Sequence, residues 1–270
     1  MTINSAVRIM SIGNVVFACV TVLVLLLAGI AVNAQESEAV EVEVEKESID
    51  VPGATLGRIG ESAVVDPDEF EFAEAEIKLW LDDHLHNIKK PSRLYYEFVK
   101  SGTYEEGFAD SVYLDITRIN DDGTRDANLE FFTAERRQEA DAHNLTSITG
   151  NPVLGIYMQG DVYEMERLTS GSWRYFQRSI KLAFANTASI EAVTFQYGDK
   201  EVSGEKISIA PYLKDRRRRQ FEEFAAKSYE FILSDAVPGK LFQIRTVVPD
   251  SKDPDRPLLQ EVLTLQSVES

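Results

Sequence analysis

The chain has 270 residues, a formal net charge of −17 and 44% apolar residues, an ordinary apolar share for a protein with a hydrophobic core. Because so acidic a surface repels the phosphates of nucleic acids and of anionic lipids, we expect no nucleic-acid partner. The single cysteine, Cys19, lies in an apolar N-terminal run, so a chain without that run has neither a disulfide nor a thiolate nucleophile.

Residues 1–34 have the pattern of a secretory signal peptide. Arg8 is the charged residue of the n-region, Val15 to Val32 are almost entirely apolar, and Val32 and Ala34 are small. We therefore predict cleavage after Ala34 and a periplasmic or secreted protein. The alternative is an uncleaved inner-membrane anchor facing the periplasm, because about 18 apolar residues could just cross a bilayer. Only in that case do we expect contact with a membrane.

An acidic segment follows. Eleven Glu and three Asp lie between positions 35 and 76, against Lys46 and Arg58, and residues 35–67 contain no aromatic side chain. This composition is typical of a solvated chain, so we predict a disordered tether over 35–67 and a single folded domain over 68–270.

The folded part begins with a predicted amphipathic helix. Asp66, Pro67 and Asp68 are typical of a helix start, and apolar residues then recur at three- and four-residue spacing from Phe70 to Ile88. From Arg93 the period changes to two, and the turn signal at Asn120–Gly123 predicts a meander of three antiparallel strands over 93–133.

Helices are predicted midway along the chain. Residues 153–158 form a short apolar run that favours a buried strand, and Asp161 with Glu164 resembles the capping box of a short helix ending at Leu168. Ser172 is expected to cap a second helix that begins at Trp173.

Strand patterns then return at 193–197, 207–209, 229–233, 241–248 and 259–268. The total is about nine short strands without regular alternation of strands and helices. We predict an α+β fold with a curved, mainly antiparallel, half-barrel-like sheet, an N-terminal amphipathic helix and helices inserted midway.

Catalytic and metal-binding patterns are weak. His84 and His86 are two residues apart, so on a helix they point in nearly opposite directions and cannot share one ion. We predict no metal site and no cofactor. The sequence lacks a Gly-x-Ser-x-Gly elbow and a glycine-rich phosphate loop, and its many carboxylates single out no pair. We therefore expect a non-enzymatic protein, with a hydrolase that uses paired carboxylates as an alternative.

Two features favour binding instead. The first is a basic cluster formed by Arg216, Arg217, Arg218 and Arg219, which could bind an anionic protein partner. Alternatively, the cluster could simply be the solvated start of a helix. In that case the arginines should have carboxylate partners, because the helix dipole disfavours cations at an N-terminus. Aromatic side chains line the candidate strands and one helix, where they could enclose an apolar cavity or fill an ordinary core. The predicted ligand-lining residues are Tyr96, Phe98, Phe131, Tyr157, Trp173, Phe176, Phe195 and Phe231.

The order of these elements resembles the half-barrel of bacterial periplasmic lipoprotein carriers and outer-membrane lipoprotein receptors. The resemblance covers residues 68–268, contains no diagnostic motif and lacks a receptor-type lipoprotein cysteine. It implies a curved sheet around an apolar cavity, and hence an exported protein that binds a lipid or an acyl chain. The alternative is an envelope module that docks on a protein partner through the sheet edge, the acidic segment or the arginine cluster.

Overall fold

The computed structural model describes residues 71–133 and 144–270. The predicted signal peptide (1–34) and acidic tether (35–67) lie outside the described residues, so both stay predictions, as does the boundary at residue 68. None of the helices within the described ranges is both long and apolar enough to span a bilayer.

The described residues contain one antiparallel sheet whose nine strands follow the order β4-β3-β2-β1-β9-β8-β7-β6-β5. Neighbours in the sheet are also consecutive in the chain, except that the first strand pairs with the last. The strands are β1 (Ser92–Ser101), β2 (Phe108–Ile119), β3 (Arg125–Phe131), β4 (Leu145–Ile148), β5 (Ser189–Tyr197), β6 (Lys200–Ile209), β7 (Ser228–Leu233), β8 (Leu241–Val248) and β9 (Leu259–Glu269).

One face of the sheet carries the core. Burial alternates along the central strands, as in β1, where Leu94, Tyr96 and Phe98 are buried between more exposed neighbours. Register shifts interrupt the pairing in four places, including Tyr95/Tyr96 of β1. Such bulges bend strands, and the sheet is curved. The predicted α+β class with a curved antiparallel sheet is confirmed.

The N-terminal helix is shorter than the sequence predicts. A one-turn α-helix, α1 (Glu74–Glu76), continues into a π-helix (Ile77–Leu81), and we call the two together the N-terminal helical segment. Its buried residues are Ala75 and Leu79. In the apolar stripe that the sequence predicts (Phe70, Ala73, Ile77, Trp80 or Leu81, Leu85 and Ile88), Ile77 and Leu81 are 40% and 42% exposed, whereas Trp80 packs on the core and Leu85 and Ile88 are buried beyond the end of the helix. The helix ends at Leu81 because Asp82 is extended and the amide of Leu85 bonds to the carbonyl of Thr149 instead.

Residues 153–158 were wrongly predicted to be a strand. They belong to helix α2 (Pro152–Leu168), in which the Asn151 side chain accepts a hydrogen bond from the amide of Val153 and Pro152 occupies the first turn. The helix is packed on several sides, so its apolar residues run continuously and periodicity cannot distinguish it from a buried strand. Asp161 therefore lies in the middle of α2 and is not a cap.

Helix α3 (Trp173–Asn186) confirms the second predicted helix, with Ser172 as its N-cap. Its buried face consists of Phe176, Ile180, Ala183 and Phe184. The predicted strand count of about nine is right although one member differs, since β4 occupies a polar stretch in which no strand was expected. Between β6 and β7, short 3-10 helices span Arg218–Gln220 and Glu222–Ala226.

Candidate functional site

A small cleft opens where the N-terminal helical segment, α2 and α3 meet. Its volume is about 60 Å³. We call it the helix cleft. The residues that line it are Glu76, Trp80, Met158, Gln159, Val162, Gln177, Ile180, Lys181 and Phe184.

The walls of the helix cleft are mainly apolar because each helix contributes side chains one turn apart. Met158 and Val162 come from α2, and Ile180 and Phe184 come from α3. On the third side the Trp80 indole packs edge-on against the Phe184 ring, with centroids 6.0 Å apart. This geometry suits a hydrocarbon or aromatic group.

Gln159 gives the cleft one polar group without a partner. Its side chain is only 8% exposed, and its amide nitrogen Nε2 has no hydrogen-bond partner among the described residues. A buried donor left unpaired costs about 1–3 kcal/mol. An oxygen acceptor on a bound molecule would remove this cost, so Gln159 favours a ligand that is amphipathic over one that is purely hydrocarbon.

The eight predicted ligand-lining aromatic residues do not surround one cavity. Five of them, Tyr96, Phe98, Tyr157, Phe176 and Phe231, are at most 4% exposed and belong to the packed core. Phe98 and Tyr157 lie together, with ring centroids 6.5 Å apart.

The other predicted rings lie elsewhere. Phe131 reaches Phe98 only through Phe132, and Phe195 stacks on Phe242 with centroids 4.1 Å apart. Trp173 is partly buried beside Tyr163. None of the eight lines the helix cleft, so their role as ligand-binding residues stays a prediction.

Sequence reasoning missed most of the cleft. Because residues 153–158 were predicted to be a strand, Met158 was expected in the sheet. Met158, Gln159 and Val162 were therefore not recognised as neighbours on one helix. A signal was present on α3, where Trp173, Phe176, Ile180 and Phe184 recur at three- and four-residue spacing in the sequence, and in Trp80 on the first helix.

A second cluster of polar side chains lies between α2 and the sheet. Tyr157, Asp161 and Glu164 follow one another at i, i+4 and i+7, so they share one face of α2. Asp161 accepts hydrogen bonds from the Lys227 ammonium group and from the hydroxyl of Tyr229, the latter at 2.7 Å. Burial, with the charge of Asp161, raises the pKa of Tyr229 well above its usual value.

At the other end of this cluster, Lys100 binds three carboxylates. Its Nζ lies 2.6 Å from Glu105, 2.6 Å from Glu164 and 3.5 Å from Glu261. Burial raises the pKa of Glu261, against the lowering effects of Lys227 and Lys100. For Glu164 burial acts in the same upward direction, but hydrogen bonds from Arg167 and Lys100 outweigh it and lower the pKa to about 2.

These carboxylates converge, as a hydrolase with paired acids would require, but two of them are buried. Asp161 and Glu261 are 4% and 7% exposed, and neither lines the helix cleft. Glu261 accepts from the hydroxyl of Tyr157 at 3.2 Å and lies 3.4 Å from that of Thr246. The arrangement is a hydrogen-bonded ion cluster that runs from the core at Asp161 to the partly exposed side chains of Glu164 and Arg167. The hydrolase alternative stays a prediction.

His84 lies in the core with both ring nitrogens engaged. Nδ1 accepts from the amide of Asn151 at 3.1 Å, which places the proton on Nε2, and Nε2 donates to the carbonyl of Lys78 at 2.7 Å. Burial lowers the pKa of this histidine. It therefore connects the N-terminal helical segment to the start of α2 as a neutral side chain.

Arg216 to Arg219 are all exposed. The carboxylate partners that a helix start would call for are absent within the described residues, since no salt bridge joins these four side chains to residues 71–133 or 144–270. Arg217 lies over the Tyr175 ring, 4.9 Å from its centroid.

Several solved structures are similar to this chain, and three of them are described here. LprF from Mycobacterium bovis has a TM-score of 0.25 and 10% identity, covering 73% of this chain and 95% of that one. A LolA superfamily protein from Nitrosomonas europaea has a TM-score of 0.20 and 8% identity, covering 74% and 94%. A domain described as an outer membrane lipoprotein-sorting protein, from Vibrio parahaemolyticus, has a TM-score of 0.18 and 9% identity, covering 72% and 91%.

No protein-family model matches the sequence, and no curated protein matches it. The three solved structures share 8–10% identity with this chain. Because their TM-scores are so low, these structures support no argument about ligand or activity. Any such argument rests on the geometry of this chain.

Proposed function

We propose that this chain is an exported, non-enzymatic protein that binds an apolar or amphipathic ligand, such as a lipid or an acyl chain, with the apolar part of the ligand in the helix cleft. The observation that carries the proposal is the apolar cleft with the unpaired amide of Gln159 in its wall. Trp80, Ile180 and Phe184 would contact hydrocarbon, while Gln159 would donate to an oxygen near the ligand head group.

The size of the cleft sets how the ligand binds. Its volume of about 60 Å³ is far below the roughly 300–1,000 Å³ of ligand pockets, so it holds only the end of a chain. A whole acyl chain requires displacement of the N-terminal helical segment, whose outer side chains Ile77 and Leu81 are exposed. A few contacts hold that segment, including the Lys78–Glu205 salt bridge at 2.8 Å and the His84–Lys78 hydrogen bond.

Native mass spectrometry tests the proposal on protein isolated from the periplasm of cells that express the full chain. We expect adducts of lipid mass on the wild-type protein. Ile180→Trp fills the cleft and should remove them, whereas Leu182→Trp, at an exposed position of the same helix, should keep them. Adducts that survive Ile180→Trp in a folded protein, or a clean apo mass for the wild type, would contradict the proposal.

A second variant tests the polar contact. Gln159→Leu keeps the size of the side chain but removes the amide donor, so binding of an alkane probe should be retained while binding of the matching fatty acid weakens by about tenfold. Equal weakening for both probes would indicate a general packing defect and would argue against Gln159 as a ligand contact.

Export is part of the same proposal and has its own test. The protein should appear in the periplasmic fraction with an N-terminus at Gln35, as N-terminal sequencing would show. A membrane-bound form that begins at residue 1 would support the uncleaved-anchor alternative instead.

A further inference from the structure

A concentrated basic surface lies on one side of this acidic chain. Helix α3 carries three cations at i, i+4 and i+7 spacing, and residues 214–219 of the loop between β6 and β7 carry five more. We call these eight residues the basic surface: Arg174, Arg178, Lys181, Lys214, Arg216, Arg217, Arg218 and Arg219.

Two contacts place the loop against α3. The hydroxyl of Tyr175 donates to the carboxylate of Asp215 at 2.7 Å, and the guanidinium group of Arg217 lies over the same tyrosine ring. The two elements therefore form one continuous surface. Its acidic neighbours include Asp215, already bonded to Tyr175, Glu166, which accepts from the amide of Trp173, Glu76, which lines the helix cleft with Lys181, and the exposed Glu222 and Glu223. Eight cations against these five acids leave positive charge in excess.

The cations of the basic surface have no salt-bridge partner among the described residues. Elsewhere in the same residues, cations such as Lys78, Arg93 and Lys240 are paired with carboxylates at 2.6–3.4 Å. In a chain with a net charge of −17, eight unpaired cations in one place cannot be explained by a shortage of acids. Within the described residues, no carboxylate neutralises their charge by a salt bridge.

From this surface we infer a membrane contact: the chain docks on anionic phospholipid bilayers through the eight cations, with Leu213 inserted among the head groups. Leu213 is 51% exposed and immediately precedes the basic loop residues. Next to the cations of α3, Trp173 is stacked under Arg174 at 4.4 Å, and tryptophan is enriched at membrane interfaces. Basic residues beside exposed apolar ones are typical of membrane-surface binding.

The net charge does not prevent this contact, because salt screens it. At physiological ionic strength the Debye length is about 8 Å, so a bilayer responds to the nearest charges and little to the acids on the far side. The shape also fits a surface, since α3 is about 21 Å long and carries its cations at i, i+4 and i+7 along one line. The basic surface shares only Lys181 with the lining of the helix cleft, and the arginines of the loop lie outside that lining.

Vesicle co-sedimentation tests the inference on protein isolated from the periplasm of cells that express the full chain. Vesicles of phosphatidylglycerol with phosphatidylcholine should bind the protein, and vesicles of phosphatidylcholine alone should bind it at least tenfold less. Raising the salt from 0.1 to 0.5 M should weaken the binding. The neutral vesicles also measure any binding through an uncleaved apolar N-terminus.

The decisive variant replaces Arg216, Arg217, Arg218 and Arg219 by Gln, and should lower the partition coefficient on anionic vesicles by roughly 100-fold or more. The matched control replaces four other exposed cations without salt bridges, Lys89, Lys90, Lys200 and Lys252, by Gln. It removes the same charge and should change binding by only a few fold. Leu213→Ser should cost about tenfold with the cations intact.

Three results would overturn the inference: no binding to anionic vesicles, equal binding to neutral ones, or equal losses in the two quadruple variants. Binding of the chain to soluble poly-glutamate but not to vesicles would assign the surface to an acidic protein partner instead. Ile180→Trp should bind vesicles like the wild type, which separates this surface from the helix cleft.

Discussion

Lys227 donates a hydrogen bond to one carboxylate oxygen of Asp161, and both side chains are removed from solvent, at 0% and 1% exposure. The other oxygen accepts from the hydroxyl of Tyr229. The pair joins the middle of α2 to the start of β7. A charge interaction inside the core therefore fixes α2 to the sheet.

Breaking this pair should be strongly destabilising. Lys227→Met leaves the carboxylate of Asp161 buried without its cation, and we expect a loss of about 3–5 kcal/mol in the free energy of unfolding, measured by urea denaturation. The double variant with Asp161→Leu should recover much of that loss, because no charge is then left unpaired. A double variant as unstable as the single one would show that the cation contributes mainly by packing.

Asn151 should be the most sensitive helix cap. Its side chain accepts from Val153 and donates to the hydroxyl of Tyr96 and to the carbonyl of Gly239, both at 3.0 Å. Asn151→Ala removes the cap and leaves buried groups unpaired, so we expect a loss of about 2–4 kcal/mol by thermal or chemical denaturation. Ser172→Ala, at the exposed cap of α3, is the control and should cost about 1 kcal/mol.

Glu261 should make the protein less stable as the pH rises. Burial raises the pKa of this carboxyl in the folded state, so the folded protein holds its proton over a range in which the unfolded chain has lost it. The resulting stability is complete below the unfolded value near 4.5 and is lost as the pH rises through the folded pKa. The free energy of unfolding of Glu261→Gln, measured by urea titration, should therefore rise relative to that of the wild type as the pH increases from 4 to 8. A constant difference across that range would contradict the assignment.

Glu164 should have the opposite effect on the pH dependence of stability. Its folded pKa of about 2 lies below the ordinary 4.5, so its contribution is present above pH 4.5 and is lost as the pH falls towards 2. At pH 7 Glu164→Gln should cost about 2–3 kcal/mol, and the gap to the wild type should narrow in acid. The same urea titrations measure both residues, and a cost of Glu164→Gln that is independent of pH would exclude the salt-bridge explanation.

Phe184→Ala should enlarge the helix cleft. Phe184 packs against Trp80 and, on its other side, against Phe231 with ring centroids 5.6 Å apart. We expect a loss of about 3–5 kcal/mol together with new binding of a small apolar probe such as benzene, detected by calorimetry or NMR. Phe176→Ala on the same helix removes an equally buried ring that does not line the cleft. It should be destabilised without gaining probe binding in the cleft.

The sequence was most informative where the period of apolar residues was clear. Alternation along 93–133 predicted β1 to β3, and Ser172 predicted the start of α3. The prediction from the sequence failed at α2, because a helix buried on several sides has a continuous apolar run like that of a buried strand. It also failed at the end of the first helix, because Leu85 and Ile88 continue the helical spacing but lie in a loop that packs against the core. In both places tertiary contacts override the local pattern.

The candidate site was harder to predict than the fold. The helix cleft depends on how three helical elements meet, which no local pattern encodes, so Gln159 carried no signal of its own. The ion cluster could be predicted in part from the sequence. Glu261 lies between Leu259 and Leu263, at a position of β9 where the alternating pattern predicts a buried side chain. A buried carboxylate needs a charged or hydrogen-bonding partner. What the sequence could not supply was that partner, Lys100, which is more than 150 positions away.

The pairing of β1 with β9 has a consequence for the order of folding. The strands before the helices form one meander and those after them another, and the sheet joins the two only through β9. Until residues 259–269 are in place, both meanders have an open edge at which other extended chains can add. If the chain is exported as we propose and crosses the membrane unfolded, it cannot complete its sheet until residues 259–269 have crossed. The same arrangement would leave a shortened chain prone to aggregation.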